Sequence, residues 1–554
     1  MRSALYYPHT EIRSEELLKT SLMLWDRLHV IVPFADYQPY YYSPEARKSF
    51  ELIRKCTRFC SGSGRPRSDM NQEAPRHNGR LPNRKRQKIA TTLVLLIAHV
   101  PAVSRAAAQT GKLSHEKQAK IENTISTFMA SSKAPGISVA VVQDGEFVWS
   151  AGFGMADLEN SVPATSQTLY RLGSISKPIT AMAAMALWEH GKLDLDSPVQ
   201  KYCPAFPEKP WPITTRELLG HLGGIRYYNV PELPYSESQS DPEVGNTHHF
   251  ENGIEGGLKF FANDPLVGQP GTHFNYSTQG YTLAGCAIEG ASGKKYADSV
   301  RERVLVPAGM LQTRPDDRFA IIPLRTRFYS KDKSGAVVNA EFLDSSYKVP
   351  GGGWLSSAPD MARFEVAILN NHLVKGATRD IMWTAQMPSD GLGRMAYGLG
   401  WQLGDTDGVK NVGHGGTQQG TATMILIAPD ARAGVVVLTN SDSSGAPVLA
   451  AQILRIVLGL PEHEHKEIAV DPKLFDSYLG TYQLGDFSMT IAREGDRLFA
   501  QIRDQKIPLS PENARDYVLK GSDTQIIFVT DGNGRATELI LRESGTDAYL
   551  SRSK

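Results

Sequence analysis

Apolar, β-branched segments at two widely separated places constrain the fold of this chain more than any other feature. Ile137 to Val142 is the first; Thr423 to Ala428 and Val435 to Thr439, on either side of a turn at 429–434, are the others. Asp144-Gly145 is a pair that reverses a strand into a hairpin, and Phe147-Val148-Trp149 supplies the return. The sequence between these ends is helix-rich. Such a pattern predicts an α/β (α+β) domain over roughly 114–460, with an antiparallel sheet assembled from both ends of the segment and flanked by helices. Ser114 is placed to cap a helix with Ile121, Ile125 and Phe128 on one face. Residues 226–258, rich in Pro, Ser, Asn and Gly, read as a long surface loop.

Past Leu460 the periodicity changes. Residues 461–470 are charged, carry Pro461, and read as a linker. Phe487, Met489 and Ile491 then alternate with polar residues, as do Leu498, Ala500 and Ile502 across the Glu494-Gly495-Asp496 turn. Residues 471–554 are therefore expected to form a small all-β barrel or sandwich. At the other end, Arg84, Lys85, Arg86 and Lys88 precede an apolar stretch from Ile89 to Val103, and Ala106-Ala107-Ala108 follows. A basic start, a short apolar core and small residues are the parts of a secretory signal, with cleavage expected before Gln109. That stretch is short for a membrane span, which needs roughly 20 residues. Residues 1–69 read as a separate small piece, and Met70 is a plausible alternative start. A used signal at 84–108 predicts a periplasmic or secreted protein; mitochondrial and cytoplasmic locations are the alternatives.

Lys and Arg number 60 against 59 Asp and Glu, so nothing in the balance points to nucleic acid. The four cysteines, Cys56, Cys60, Cys203 and Cys286, form no CxxC pair. Neither a disulfide framework nor a structural zinc site is expected, and Cys203 and Cys286 read as buried packing residues. No cofactor is implied.

The chemistry-bearing feature is Ser174-Ile175-Ser176-Lys177, at the mouth of an apolar run from Pro178 to Trp188 that reads as a helix ending near Gly191. Residues three apart share a helix face, so the Ser174 hydroxyl and the Lys177 amine are expected in one cleft. Serine needs a neighbouring base, and an amine in a dry site can serve. Two later segments fit this pair. Tyr276 lies in a small polar loop, Phe274 to Tyr281, before a helix, where a phenol can move protons. Gly413-His414-Gly415-Gly416-Thr417 leads into an apolar strand, and its amides with that of the serine can form an oxyanion hole. His221, Met182 and Met185 read as structural.

These elements, in this order, resemble the penicillin-recognising serine hydrolases: class C β-lactamases, D-alanyl-D-alanine carboxypeptidases and related esterases. Gly351-Gly352-Gly353 before a helix resembles the family's glycine-rich segment. The branch most resembled, through Gly191 to Asp196, Asn263 to Leu266 and Tyr276-Ser277-Thr278, is the mitochondrial serine β-lactamase-like proteins and their bacterial relatives. The resemblance implies a β-lactamase-like fold, a lipocalin-like C-terminal barrel, and an acyl-enzyme mechanism without metal. It implies Ser174 as nucleophile, with Lys177 and Tyr276 jointly handling protons. It puts the amides of Ser174 and Thr417 in the oxyanion hole, flanked by Gly415 and Gly416. His414 stands where many members carry lysine, and Thr278 where many carry a substrate-binding asparagine. Without a permanent cation there, esters, small peptides or amides are the expected substrates. A β-lactamase or D,D-carboxypeptidase proper, and a catalytically silent peptidoglycan- or peptide-binding protein, are the alternatives.

Overall fold

The computed structural model describes residues 112–553 apart from 229–248, 251, 392, 443, 462–465, 486, 503–504, 521 and 523; the readings made above for 1–69 and 84–108 lie outside the described residues. Helix α1 (His115–Ser132) is capped by the Ser114 hydroxyl and buries Ile121 and Ile125. It leads into β1 (Gly136–Gln143), β2 (Glu146–Asp157) and β3 (Val162–Pro163). Asp144 and Gly145 turn β1 into β2 with φ of 55° and 76°. This left-handed pair matches the strand twist and suits Asp-Gly.

After the central helices, α2 (Ser176–Glu189), α3 (Thr278–Ser292) and α4 (Ala358–Leu369), the chain returns to the sheet. It makes β4 (Arg394–Met395), then β5 (Gln402–Thr406), β6 (Val409–Gln418), β7 (Thr421–Ala428) and β8 (Ala433–Thr439), and ends on α5 (Ala446–Leu458). The seven-stranded sheet runs β5-β6-β7-β8-β1-β2-β3, with β1 antiparallel to β8. It is built from the two ends of the segment. The physical reason for the unbroken apolar strands is also visible. Ala140, Val142, Ile425, Ile427, Val436 and Leu438 face a core shared with α2, α3 and α4. Val139, Val141, Met424, Leu426, Val435 and Val437 face a second core shared with α1 and α5. A sheet covered on both faces needs apolar residues at every position.

Two expectations are overturned. Cys203 and Cys286 are disulfide-bonded across 83 residues of sequence. Cys203 follows a short 3₁₀ turn at Val199–Lys201 and Cys286 lies in mid-α3, and helix packing brings them together without any spacing signal in the sequence. The segment 226–258 is not all loop, since Ile254–Leu258 is a helix with both end residues buried. Tertiary docking overrides the poor helix propensity of Gly256 and Gly257; a Cβ on Gly257 would lie 2.2 Å from the Tyr347 carbonyl oxygen.

The C-terminal strands are β9 (Gly480–Leu484), β10 (Phe487–Glu494), β11 (Arg497–Ile502), β12 (Gln505–Pro511), β13 (Asp516–Leu519), β14 (Gln525–Thr530), β15 (Ala536–Glu543) and β16 (Thr546–Arg552). They form an antiparallel meander closed by β9 on β16. Tyr482, Met489, Ile491, Tyr517, Ile526, Phe528, Leu539 and Leu550 share one core inside it. Closure is partial: Tyr482 and Gln483 pair with Arg552 and Ser551, while the earlier residues Ala548 and Tyr549 pair with Met395 and Arg394 of β4. A strand of the first domain thus completes the barrel seam.

Candidate active site

A tight turn at Gly173–Ile175 runs directly into α2, so Ser174 and Lys177 lie on one face as their spacing predicts. Every residue from Ser176 to Leu187 is buried, and Met182 and Met185 are core. Lys177 Nζ lies 3.0 Å from Ser174 Oγ, 3.2 Å from Thr278 Oγ1 and 2.9 Å from the Gly351 carbonyl oxygen. Burial, and secondarily the Lys348 charge, hold this amine well below the usual lysine range. In its neutral form this amine, with an N–H on each of Gly351 and Thr278, would turn its lone pair to the Ser174 hydroxyl.

The loop carrying Tyr276 is pinned by His221. Asn275 N–H donates to the His221 carbonyl (2.8 Å) and Ser277 N–H to its ring Nδ1 (3.1 Å). Ser277 then caps α3 by accepting the Gly280 N–H. His221 is buried and packs 4.2 Å from the Tyr276 ring and 4.7 Å from that of Tyr397. Burial, and secondarily the Lys177 charge, hold its pKa well below the ordinary histidine range. Its role is structural, and its object is the tyrosine loop. The Tyr276 hydroxyl shares a hydrogen bond with Ser174, and burial raises its pKa. Lys177 Nζ lies 4.7 Å over the Tyr276 ring.

Strand β6 brings the glycine segment against the serine turn. A Cβ on Gly416 would lie 2.0 Å from the Leu172 carbonyl oxygen and 3.0 Å from Ser174 N; one on Gly173 (φ 53°) would lie 2.9 Å from Thr417 N. Only glycines let the two backbones approach so closely, and the amides of Ser174 and Thr417 are neighbours as a result. The Thr417 side chain is exposed and Gly415 is half-buried, so this end of the site opens to solvent.

Thr278 is buried and its hydroxyl accepts from Lys177 Nζ. His414 is also buried, and both its ring nitrogens are committed. Nδ1 donates to the Gly415 carbonyl (2.6 Å), and Nε2 accepts the Tyr397 hydroxyl proton (2.9 Å). Burial and Lys177 push its pKa down to about 3. It is neither a cation for a substrate nor a free base.

Sequence reading missed Lys348, Tyr397 and Gln402. Lys348 is buried, 5.5 Å from the rings of Tyr228 and Tyr347; burial and Arg171 bring it down to about 7 against the opposing pull of Asp344. It lies three residues before the carbonyl that anchors Lys177. Tyr397 and Gln402 occupy a glycine-rich segment without periodicity or motif, so no local signal marked them. Among the described residues no group of three or more His, Cys, Asp or Glu could hold a metal ion.

Comparison with known proteins follows this geometry. The Beta-lactamase family model matches residues 121–458, the whole stretch that supplies the site. The chain belongs to the beta-lactamase family. It is 34% identical over 382 residues to the human mitochondrial serine beta-lactamase-like protein LACTB, covering 54% of this chain and 69% of that one. It is 26% identical over 440 residues to penicillin-binding protein 4* of Bacillus subtilis (strain 168), covering 75% and 95%. Among solved structures, the octameric penicillin-binding protein homologue from Pyrococcus abyssi superposes with a TM-score of 0.56 at 26% identity, covering 78% of this chain and 99% of that one. The beta-lactamase-family domain is followed by a match to a domain of unknown function (DUF3471) at residues 464–551, which is the barrel. Proteins of this family are serine hydrolases of the penicillin-recognising group, and the fold seen here is theirs.

Proposed function

We propose that the protein hydrolyses esters, small peptides or amides through an acyl-enzyme on Ser174. The observation that carries this reading is the Lys177 amine, buried, held well below the usual lysine range and 3.0 Å from Ser174 Oγ, with its other two contacts on Gly351 and Thr278. Lys177 takes the Ser174 proton as Oγ attacks the carbonyl carbon, and the amides of Ser174 and Thr417 receive the oxyanion. Losing one such donor typically costs about 3–4 kcal/mol of transition-state stabilisation. Tyr276 gives its proton to the departing alcohol or amine and regains one from the Lys177 ammonium. Water then repeats the sequence on the ester carbonyl and frees Ser174.

The preference for esters or peptides rests on His414. A lysine in its place would attract a substrate carboxylate by about 4 kcal/mol at 4 Å and an effective dielectric near 20; a neutral, fully engaged imidazole does not. The second reading, a β-lactamase or D,D-carboxypeptidase proper, is favoured by the similarity to penicillin-binding protein 4*. The Cys203–Cys286 disulfide supports an exported protein, because such bonds persist in oxidising compartments.

Purified protein should be labelled by a fluorophosphonate, and the Ser174→Ala variant should not, with ester turnover falling by up to about 10⁶. Equal labelling of both would remove the assignment. Hydrolysis of p-nitrophenyl esters should exceed that of cephalosporins, and the opposite ranking would favour the second reading.

A further inference from the structure

Gly415, two residues before Thr417, is held at both its N–H and its carbonyl, the first by Gln402 and the second by His414 backed by Tyr397. Gly415 N–H donates to Gln402 Oε1 (3.1 Å), and the Gly415 carbonyl accepts from His414 Nδ1, whose Nε2 accepts from Tyr397. Gln402 and Tyr397 are themselves bridged, and Leu403 N–H donates to the Ala396 carbonyl (2.7 Å). The segment 394–406 is therefore a small clamp on β6, two residues from an oxyanion amide.

The middle of the clamp is held by the first domain, where Leu399 and Gly400 N–H donate to the Met382 (2.8 Å) and Leu219 (3.1 Å) carbonyls, and its two ends by the barrel. Its start, β4, is paired with β16 of the barrel, and Ala396 N–H donates to the Asp547 carbonyl (2.8 Å). The Arg394 guanidinium reaches Glu538 (3.1 Å) and lies 4.2 Å over the Tyr549 ring. At its end, Arg542 joins Asp405 (3.3 Å) to Asp547 (2.8 Å), and Gly404 meets the turn between β15 and β16 so closely that a Cβ would sit 2.1 Å from the Gly545 carbonyl oxygen. Both ends of the clamp rest on one barrel hairpin.

We propose that the C-terminal barrel is a positioning element of the active site, which fixes the Thr417 amide through Tyr397 and Gln402. The barrel touches no reacting atom. Its last hairpin sets the 394–406 segment, that segment sets Gly415, and Gly415 sets the donor. This rests on Ser174 being the nucleophile, as proposed above.

The test uses the whole protein, p-nitrophenyl acetate and a fluorophosphonate. Three variants are compared: Tyr397→Phe, the barrel double variant Glu538→Ala/Tyr549→Ala, and their combination. Each of the first two should lower kcat about tenfold, part of the loss expected from removing an oxyanion donor outright. KM should stay within about twofold, and fluorophosphonate labelling should slow in parallel. The combination should be little slower than either alone, because both act on one chain of contacts. Arg394→Gln, which weakens the same contacts from the first-domain side and keeps the strand pairing, replaces the double variant should that unfold. A barrel variant with unchanged kcat, or losses that multiply in the combination, overturns the inference. Ser174→Ala is run alongside. If it turns over ester normally, the hydrolase reading itself falls; if it is inactive while the barrel variants match the parent protein, only this inference does.

Discussion

Burial holds the Lys177 amine well below the usual lysine range and sets its hydrogen bonds on Gly351, Thr278 and Ser174. Lys348 acts on this balance from one contact layer away. Its charge favours the neutral form of Lys177, so Lys348→Met should raise the Lys177 pKa and move the acid limb of the kcat/KM–pH profile upward. A profile from about pH 4 to 9 on a neutral ester checks this, and an unmoved limb would show the two amines to be uncoupled. His414, already neutral above about 3, should add no limb in that range. That Ser174, Lys177, Tyr276 and Thr417 lie together was legible, because a Ser-x-x-Lys pair shares a helix face and the later segments follow it in order. The places of Thr278 and His414 were not, because residue type does not reveal whether a side chain faces inward. Tyr397 was illegible for a further reason: its value lies in a contact with the ring of His414, on another strand.

Helices α1 and α2 could be read closely, since each pairs an apolar run with a local start or stop, Ser114 and Gly191, whereas α3 begins at Thr278, inside the stretch read as a loop to Tyr281. Helix Ile254–Leu258 could not, because docking makes it helical. Helix α4 holds a residue that pattern alone would assign to solvent. Glu365 is buried against Gly434 of β8, and neither carboxyl oxygen has a hydrogen-bond partner. Burial raises its pKa well above the usual carboxylate range. Its contribution to stability is whole below the unfolded pKa of about 4.3 and declines at about 1.4 kcal/mol per pH unit as pH rises towards the folded value. Glu365→Gln should flatten that decline, with an advantage over the parent protein that grows between pH 5 and 8. Thermal unfolding across that range measures it, and parallel curves for the two proteins would place the compensating group elsewhere.

At the scale of the molecule, the two-ended sheet and the C-terminal meander were readable from periodicity, because a strand buried on both faces and a strand buried on one leave different signatures. Cys203 and Cys286 left none; their pairing is a property of packed helices. A bond that closes a loop of this size stabilises by about 2–5 kcal/mol. The Cys203→Ala/Cys286→Ala variant should lose that much in denaturant unfolding, and reductant should lower the melting temperature of the parent protein but not of the variant. The barrel seam bears on how such a protein can be divided. The linker at 461–470 is the obvious cut, yet cutting there would leave Arg394–Met395 on one piece and the β16 backbone that it covers on the other. Each fragment would carry a bare strand edge, the feature through which chains add to one another and aggregate. Sequence similarity divides this chain after residue 458; its hydrogen bonds do not.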